Sequence, residues 1–165
     1  MRQLILLLKD SDADVVKSAA YVLGSIGAEA KTAVRQLIPL LKNPDAGVRS
    51  RAADALGSIG AEDKTAVSQL IPLLIPLLKD PDADVRKTAV STLWRISAEP
   101  KTVVPGLRDL LEDPVADVRE SAGYALAKIG PKAKTAVSEL IPLLEDSNEG
   151  VCSSAAEAGF YRCRS

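Results

Sequence analysis

Hydrophobic and polar positions alternate along the chain in a way that predicts pairs of amphipathic helices. In AVRQLIPLLK (residues 33–42), apolar residues recur three and four positions apart, which predicts a helix with one buried face. In the following GVRSRAADALGSI (47–59), the apolar positions fall within about 100° of one another around a helix axis. These positions are Val48, Ala52, Ala55, Leu56 and Ile59. We name the first helix of each pair helix A and the second helix B.

The same pair of helices recurs along the chain. The first apolar residue of helix B is a valine, which we number position 0 of that helix. These anchor valines are Val15, Val48, Val85, Val118 and Val151, spaced by 33, 37, 33 and 33 residues. One helical pair cannot bury its apolar stripe alone, whereas stacked pairs can. The repeat predicts an all-α fold, an α-solenoid (superhelix) of about five helix-turn-helix repeats with a 33-residue period and one four-residue insertion.

The insertion is a duplicated IPLL in the third copy of helix A, at residues 71–74 and 75–78. Four residues advance a helix by about 400°, so the inserted residues keep the apolar stripe on its original face. Pro72 and Pro76 then lie four positions apart, and Pro76 removes one backbone hydrogen bond. We predict a kink, bulge or restart of helix A at this point.

Aspartate and glycine mark the two ends of helix B. Asp12 and Asp82 are predicted N-caps, while Asp14 and Asp84 lie in the first turn, where the helix dipole favours an anion. Because these carboxylate pairs recur at starts of helix B, capping is favoured over acid–base or metal chemistry. The glycines predicted to cap the C-terminal end are Gly27, Gly60 and Gly130.

The motif L-I-P-L-L-K-D-P-D-A-D-V-R-x-x-A-x-x-x-L-x-x-I resembles HEAT repeats, in the short bacterial form called phycobilisome-lyase-type HEAT-like repeats. The family's marks are a proline in helix A, an aspartate in the turn and a Val-Arg pair at the start of helix B. They occur here as Pro39, Asp45, Val48 and Arg49, and again as Pro72, Asp80, Val85 and Arg86. The resemblance covers residues 1–165 as a single HEAT-like repeat domain with incomplete first and last repeats.

The resemblance also implies a ladder of hydrogen bonds between turn aspartates and helix-B arginines. Its predicted members are Arg49, Arg86, Arg119, Asp80 and Asp113. Val16 and Cys152 replace the arginine in the first and last copies, so the ladder is expected to stop there. The ends lack polar caps, which predicts a homo-oligomer through exposed residues such as Leu4 and Leu7. Such ends are also expected of a fragment or an engineered array.

Positions of helix B that face away from the core stripe differ between copies. In HEAT-like arrays helix B lines the concave side, so we expect these positions to bind a partner. Trp94 replaces glycine or alanine in its column, and both an interface role and a packing role are open for it. The candidate partner-binding residues are Lys17, Tyr21, Arg51, Asp54, Lys87, Ser91, Trp94, Arg95, Glu120, Tyr124 and Lys128.

Composition and charge exclude several functions. The chain has 165 residues, no histidine and a net charge of −1. Without histidine there is no Ser-His-Asp or Cys-His apparatus and no histidine-containing zinc site, so we expect no catalytic residues, cofactor or metal. The small net charge argues against nucleic acid or an anionic membrane as the partner.

Two further features bear on location. The cysteines, Cys152 and Cys163, form no disulfide framework and indicate a reducing compartment. If both lay on one helix they would be roughly 16 Å apart, too far for a disulfide. No signal peptide or membrane span is recognisable, so we expect a cytoplasmic protein.

These observations predict a non-enzymatic protein–protein interaction scaffold. Its expected ligand is a protein or peptide bound along the concave helix-B face. The alternative, which comes from the resemblance alone, is a phycobilin lyase-like or phycobilisome-associated accessory subunit.

Overall fold

The computed structural model describes residues 1–61, 63–96, 100–129, 142–145 and 148–159. These residues form α-helices, short 3-10 helices and turns, with no β-strand among them, and the all-α solenoid fold is confirmed. The α-helices are α1 (Arg2–Leu7), α2 (Ala13–Ile26), α3 (Val34–Leu37), α4 (Ala46–Gly60), α5 (Lys64–Leu74), α6 (Ala83–Ile96), α7 (Pro100–Asp109), α8 (Ala116–Ile129) and α9 (Glu149–Gly159).

The chain forms two compact units, Met1–Ile96 and Ser97–Ser165. In the first unit three B helices lie side by side, and α4 contacts both α2 and α6. In the second unit α8 packs against α9. The assignment of residues 1–165 to a single domain stays a prediction.

The anchor valines form the centre of the core, as predicted. Val48, Val85, Val118 and Val151 are each at most 1% exposed. The first copy differs, because Val15 is half-buried while the next residue, Val16, is buried. Val16 is thus buried at the position where the second, third and fourth copies carry arginine.

Aspartate side chains cap the B helices of the first unit. Asp12 accepts a hydrogen bond from the backbone N–H of Asp14 at 2.8 Å, and Asp82 accepts one from Asp84 at 2.9 Å. Asp45 caps α4 by accepting from the N–H of Val48 at 2.8 Å. The capping interpretation of the recurrent carboxylates is therefore confirmed for Asp12 and Asp82.

The glycine caps were predicted correctly at one position and wrongly at another. Gly27 ends α2 with φ of 68°, which a residue with a side chain rarely adopts. Gly60 is instead the last residue of α4, and Ala61 after it is right-handed. A Cβ at Gly60 would lie 2.5 Å from Cδ1 of Leu70, so this glycine gives α5 room to pack. Gly130 lies outside the described residues.

Helix A changes type along its length. In the second copy, α3 gives way to a 3-10 helix over Ile38–Lys42. In the third copy, α5 continues through Pro72 to Leu74, and the 3-10 helix follows over Ile75–Lys79. The inserted IPLL thus adds one α-helical turn, and the expected restart is a change of helix type at Ile75.

Arg49 joins two repeats within the first unit. Its Nε and Nη2 donate to the two carboxylate oxygens of Asp80 at 2.8 and 2.7 Å, which is a bidentate ion pair. The Arg49 side chain is 13% exposed and that of Asp80 is 7% exposed. Because both partner side chains are largely buried, this ion pair links the second repeat firmly to the third.

The helix-B arginines also bind the turn that precedes their own helix. Nη1 of Arg49 donates to the carbonyls of Asn43 and Pro44 at 2.8 and 3.0 Å. Arg86 makes the same contacts with Asp80 and Pro81, and Arg119 with Asp113 and Pro114. The sequence did not predict this role. The predicted ladder roles of Arg86, Arg119 and Asp113 stay predictions.

Thr92 of α6 offers a direct test of packing. It is fully buried, and its hydroxyl makes no hydrogen bond within the described part of the chain. A buried hydroxyl without a partner destabilises the fold, so Thr92→Val is expected to raise the free energy of unfolding by about 1 kcal/mol in urea titrations. Thr88→Val is the matched control, because the Thr88 hydroxyl is hydrogen-bonded to Ser50 at 2.8 Å. Equal effects of both changes would contradict the prediction.

Cys152 is buried and disulfide-bonded. The expectation of reduced cysteines, which rested on the lack of a disulfide framework, is contradicted by this bond. Cys163 itself lies outside the described residues. The cysteines therefore give no support to a reducing compartment, and a cytoplasmic location stays a prediction.

Candidate functional site

The three packed B helices of the first unit, α2, α4 and α6, share one outer face. Positions 2, 6 and 10 of α2, α4 and α6 are half-buried or exposed, so side chains on this face meet solvent. These positions carry Lys17, Tyr21 and Ser25 on α2, Ser50, Asp54 and Ser58 on α4, and Lys87, Ser91 and Arg95 on α6. The face thus presents hydroxyls, charges and one aromatic ring.

Tyr21 and Arg51 form the most distinctive contact on this face. Tyr21 is 58% exposed, and the guanidinium carbon of Arg51 lies 5.5 Å from the centroid of its ring. This cation–π contact joins α2 to α4. Within the described residues Arg51 makes no ion pair.

A groove of about 520 Å³ opens beside this pair. It is lined by Asp14, Lys17, Ser18, Tyr21, Val22 and Arg51. Nζ of Lys17 lies 2.6 Å from Oδ1 of Asp14, three positions earlier on the same helix. The hydrogen bond from Lys17, followed by its charge, lowers the pKa of Asp14. The same hydrogen bond raises the pKa of Lys17, so both groups are ionised and satisfy each other near neutral pH.

An apolar groove of about 340 Å³ adjoins the first one. Asp14, Ser18 and Val22 line both grooves. The remaining lining residues of the apolar groove are Leu4, Leu7, Val15 and Ala19. A charged groove and an apolar groove therefore run into each other across α2.

The remaining charges of this face each lie in an ion pair. Nη2 of Arg95 lies 3.0 Å from Oδ1 of Asp54, and this pair joins α6 to α4. Nζ of Lys87 lies 3.7 Å from Asp84 on its own helix. Exposed pairs of this kind add little stability, but they leave these charges compensated.

Trp94 occupies a column that faces a neighbouring B helix. Two earlier members of that column are Gly24 and Gly57. A Cβ on Gly24 would lie 3.0 Å from Cα of Ala55, and one on Gly57 would overlap Cγ2 of Thr92. Trp94 itself is half-buried, and both the interface and the packing interpretation stay predictions for it. The angle of a residue around its own helix axis does not show whether solvent or another helix lies on that side of the helix.

The second unit carries a similar aromatic contact. Tyr124 of α8 is 41% exposed, and Nζ of Lys128 lies 4.8 Å from the centroid of its ring, one turn later. Glu120 lies one turn earlier and packs against Gly150 of α9. Tyr124 and Lys128 are thus brought together, while Glu120 lies against the next helix.

The structure adds three groove residues that the sequence analysis did not select. Asp14 had been assigned to capping alone, and Ser18 and Val22 had no assigned role. The sequence did contain a clue to them. All three lie on the side of α2 that, in α4 and α6, packs against the previous B helix. Only the packing shows that these three residues line both grooves.

A comparison with protein families shows to which family this chain belongs. A family model described as HEAT repeats matches residues 1–72 and 71–159. The chain belongs to the HEAT-repeat family. The resemblance deduced from the motif is confirmed, and the lyase-type form of the repeat agrees with a solved structure of similar fold.

Solved structures similar to this HEAT-repeat chain are of natural and engineered origin. The complex of CpcE and CpcF of phycocyanin lyase from Nostoc sp. PCC7120 matches with 30% identity and a TM-score of 0.78. That match covers 96% of this chain and 63% of the other, which is less than two thirds of it. A comparison with curated proteins gives no match.

Two engineered relatives match over 94% of the HEAT-repeat chain. An engineered protein from a structural genomics consortium has 28% identity, a TM-score of 0.74 and 76% of its own chain covered. A computationally designed armadillo repeat protein for modular peptide recognition has 26% identity, a TM-score of 0.68 and 79% of its own chain covered.

Proposed function

We propose that this HEAT-repeat protein is a non-enzymatic scaffold that binds a protein or peptide along the outer face of its B helices. The observation that carries the proposal is the contact of Tyr21 with Arg51, because it places a largely exposed aromatic ring and a cation beside an open groove. Tyrosine and arginine are enriched among residues that dominate binding energy at protein interfaces.

The ionisable groups support a binding role over a catalytic one. Each described group with a shifted pKa lies in an ion pair or a helix cap. They are Asp14, Lys17, Arg49, Asp63 and Asp80. Asp63 is an example, since backbone N–H groups of Ala66 and Thr65 lower its pKa at the start of α5. Shifts with such causes stabilise structure and do not prepare an acid or base for chemistry.

Peptide selection against the folded protein tests the proposal. Peptides selected from a displayed random library should bind at least about tenfold more weakly to a variant with Tyr21→Ala and Ser91→Arg, because both positions are exposed on the B-helix face. Fluorescence anisotropy of labelled peptides gives the affinities. Arg35→Ala and Gln69→Ala are the controls, since both residues are exposed on A helices.

The A-helix control variants show which face of the protein binds the peptides. Weakening by the A-helix variants with no effect of the B-helix variant would place binding on the opposite side. Failure to select any peptide that binds the protein would contradict the scaffold function itself. Urea titrations of each variant confirm that the fold is retained.

The likeness to the phycocyanin lyase complex favours one second candidate, an accessory subunit of a bilin lyase. A bilin pigment mixed with the protein should then shift its visible absorption. An unchanged spectrum would contradict this candidate while leaving the scaffold proposal intact.

The scaffold proposal includes two further properties. Exposure of Leu6, Leu7 and Val22 supports self-association through this end of the first unit, which light scattering measures. No α-helix in the described ranges is long and apolar enough to cross a bilayer. A cytoplasmic location and a lack of affinity for nucleic acid and membranes belong to the same proposal.

A further inference from the structure

We infer that the exposed face of the A helices in the first unit, the A-helix face, binds an acidic protein segment. Carboxylates of that segment pair with cations on this face, and aliphatic side chains between the carboxylates contact exposed prolines and leucines. This inference goes beyond the proposed scaffold function, because it concerns the helices that do not form the B-helix face.

The A segments of the first unit carry basic residues and no acidic ones. Over residues 1–9, 31–42 and 64–79 the chain has seven basic residues and no aspartate or glutamate. These basic residues are Arg2, Lys9, Lys31, Arg35, Lys42, Lys64 and Lys79. The corresponding segments of the second unit, 101–112 and 134–145, have three basic and four acidic residues. The excess of basic residues is therefore a property of the A helices of the first unit.

Arg35, Pro39 and Lys42 share one side of the second A helix. Their spacings of four and three residues place them on one side of an α-helix that continues as a 3-10 helix. All three are exposed, while Leu37 and Leu41 are buried. The second repeat lies between the first and the third, because α4 contacts both α2 and α6. The exposure of these residues therefore does not depend on where the sequence begins.

The first and third A helices repeat this pattern of exposed residues. The equivalent exposed residues are Arg2, Leu6 and Lys9 in the first repeat and Ser68, Pro72, Pro76 and Lys79 in the third. Leu6 is 67% exposed, and Leu73 of the inserted turn is 38% exposed beside the two prolines. Each A helix thus presents exposed apolar residues with a cation on at least one side of them, an arrangement that is typical of interaction surfaces.

The cations of the second repeat are not neutralised by neighbouring carboxylates. Neither Arg35 nor Lys42 forms an ion pair within the described part of the chain. Residues 27–43 hold three basic residues and one acidic residue, Glu29. Residues 1–96 as a whole hold thirteen basic and eleven acidic residues. Charge complementarity therefore favours an acidic ligand over a basic one.

Two acidic residues at the ends of these A helices already have partners. Asp63 caps α5 by accepting from backbone N–H groups, and its carboxylate lies 3.5 Å from Nζ of Lys31. Asp80, which follows the third A helix, is held in the bidentate pair with Arg49. These carboxylates therefore do not pair with the cations of the A-helix face.

The spacing of the cations indicates which segment fits this face. Arg35 and Lys42 are seven residues apart along helix A, which corresponds to roughly 12 Å. Two glutamates seven positions apart on a helix span about 10.5 Å, and leucines three and four positions after the first glutamate fall on the same side. Such a segment places its leucines against the prolines and its two carboxylates near the two cations, as an apolar interface centre with a charged rim.

Matched helical peptides test the inference on the full chain. The probe is a fluorescent peptide with two glutamates seven positions apart and leucines between them, compared with peptides that carry glutamine or lysine in place of glutamate. By anisotropy, the glutamate peptide is expected to bind about fivefold to tenfold more tightly than the glutamine peptide at low salt, because each exposed ion pair adds a factor of up to about five. The preference should shrink in about 0.5 M salt, which screens exposed charges.

Variants of the protein test the two parts of the A-helix face. Arg35→Gln should reduce the glutamate preference by about twofold to fivefold, and the double variant Arg35→Glu with Lys42→Glu should prefer the lysine peptide. Leu73→Ser should weaken the glutamate and glutamine peptides alike, by about threefold, because both carry leucine. Arg51→Gln makes the same change of charge on the B-helix face and should leave the glutamate preference unchanged. Urea titrations confirm that each variant is folded.

Several outcomes would overturn the inference. Equal affinity for the glutamate and glutamine peptides would exclude the acidic ligand, and equal effects of Arg35→Gln and Arg51→Gln would exclude the A-helix face. Without a glutamate preference, co-sedimentation with phosphatidylserine vesicles that the double variant abolishes would assign the face to an anionic membrane. Self-association lost in the same variant would assign it to a second copy of the chain. The scaffold function is tested separately, because library peptides and Tyr21→Ala report on the B-helix face.

Discussion

Replacing Arg49 with alanine will lower the free energy of unfolding by about 3 kcal/mol. The substitution removes the bidentate partner of the largely buried Asp80 carboxylate, and breaking a buried ion pair on one side typically costs about 3–5 kcal/mol. It also removes the hydrogen bonds from Arg49 to the carbonyls of Asn43 and Pro44. Urea unfolding followed by circular dichroism measures the loss.

A double-mutant cycle separates the ion pair from the turn contacts. Asp80→Asn removes the charge but keeps the shape, so it should cost less than Arg49→Ala, and the double variant should cost less than the sum of the two. Arg35→Ala removes an exposed arginine from helix A and serves as the control, with an expected change within about 0.5 kcal/mol. Strictly additive effects would show that Arg49 acts through the turn carbonyls alone.

The same pair predicts how stability depends on pH. Burial acts to raise the pKa of Asp80, but hydrogen bonds from Arg49 and from the Asp82 backbone, with the charge of Arg49, lower it below 3.8 overall. Because the folded-state pKa is the lower one, the stabilisation is complete above the unfolded value near 3.8 and is lost as the pH falls below it. Wild type should therefore lose its advantage over Asp80→Asn in acid, and a constant difference would contradict this cause.

Gly57→Ala is expected to destabilise the first unit by about 2 kcal/mol, although alanine favours helices by about 1 kcal/mol over glycine. The added methyl would overlap Cγ2 of Thr92, a stiff and fully buried side chain on the neighbouring α6. The B helices would have to move apart to accommodate it. Thermal and urea unfolding both measure the effect.

Two matched variants test this cause. Thr92→Ser removes the methyl that would clash, so it should restore part of the stability lost by Gly57→Ala. Gly47→Ala makes the same change in the same helix, but its methyl meets side chains that can move, Cδ of Lys17 at 2.9 Å and Oδ1 of Asp45 at 3.1 Å, and it should cost less stability than Gly57→Ala. A loss in Gly47→Ala as large as that in Gly57→Ala would point to backbone conformation in place of helix spacing.

Periodicity predicted the B helices and their buried stripe, because the burial of Val48, Val85 and Val118 depends only on spacing along one helix. It did not predict where helix A becomes a 3-10 helix. Pro39 and Pro76 fit either geometry at the start of a new turn, so the local sequence does not choose between them. That choice depends on how helix A packs against helix B.

The candidate site was predictable only in part, for a similar reason. The sequence analysis selected Tyr21 and Arg51 separately, but their contact depends on the spacing of two different helices. The column of Gly24, Gly57 and Trp94 lies opposite the core stripe, yet its first two members face the next helix. A single helix viewed along its axis cannot distinguish a side that meets solvent from one that meets another repeat.

The extra turn of α5 has an implication for how such chains can change. An in-frame duplication of four residues keeps the same side chains inward, whereas a three-residue duplication would rotate the remainder of the helix by about 60°. Here the added turn ends before the 3-10 segment, and the segment Ile75–Lys79 still leads into α6 as its counterpart leads into α4. Helix A of a repeat can therefore lengthen by whole turns without changing the register of the helix B that follows it.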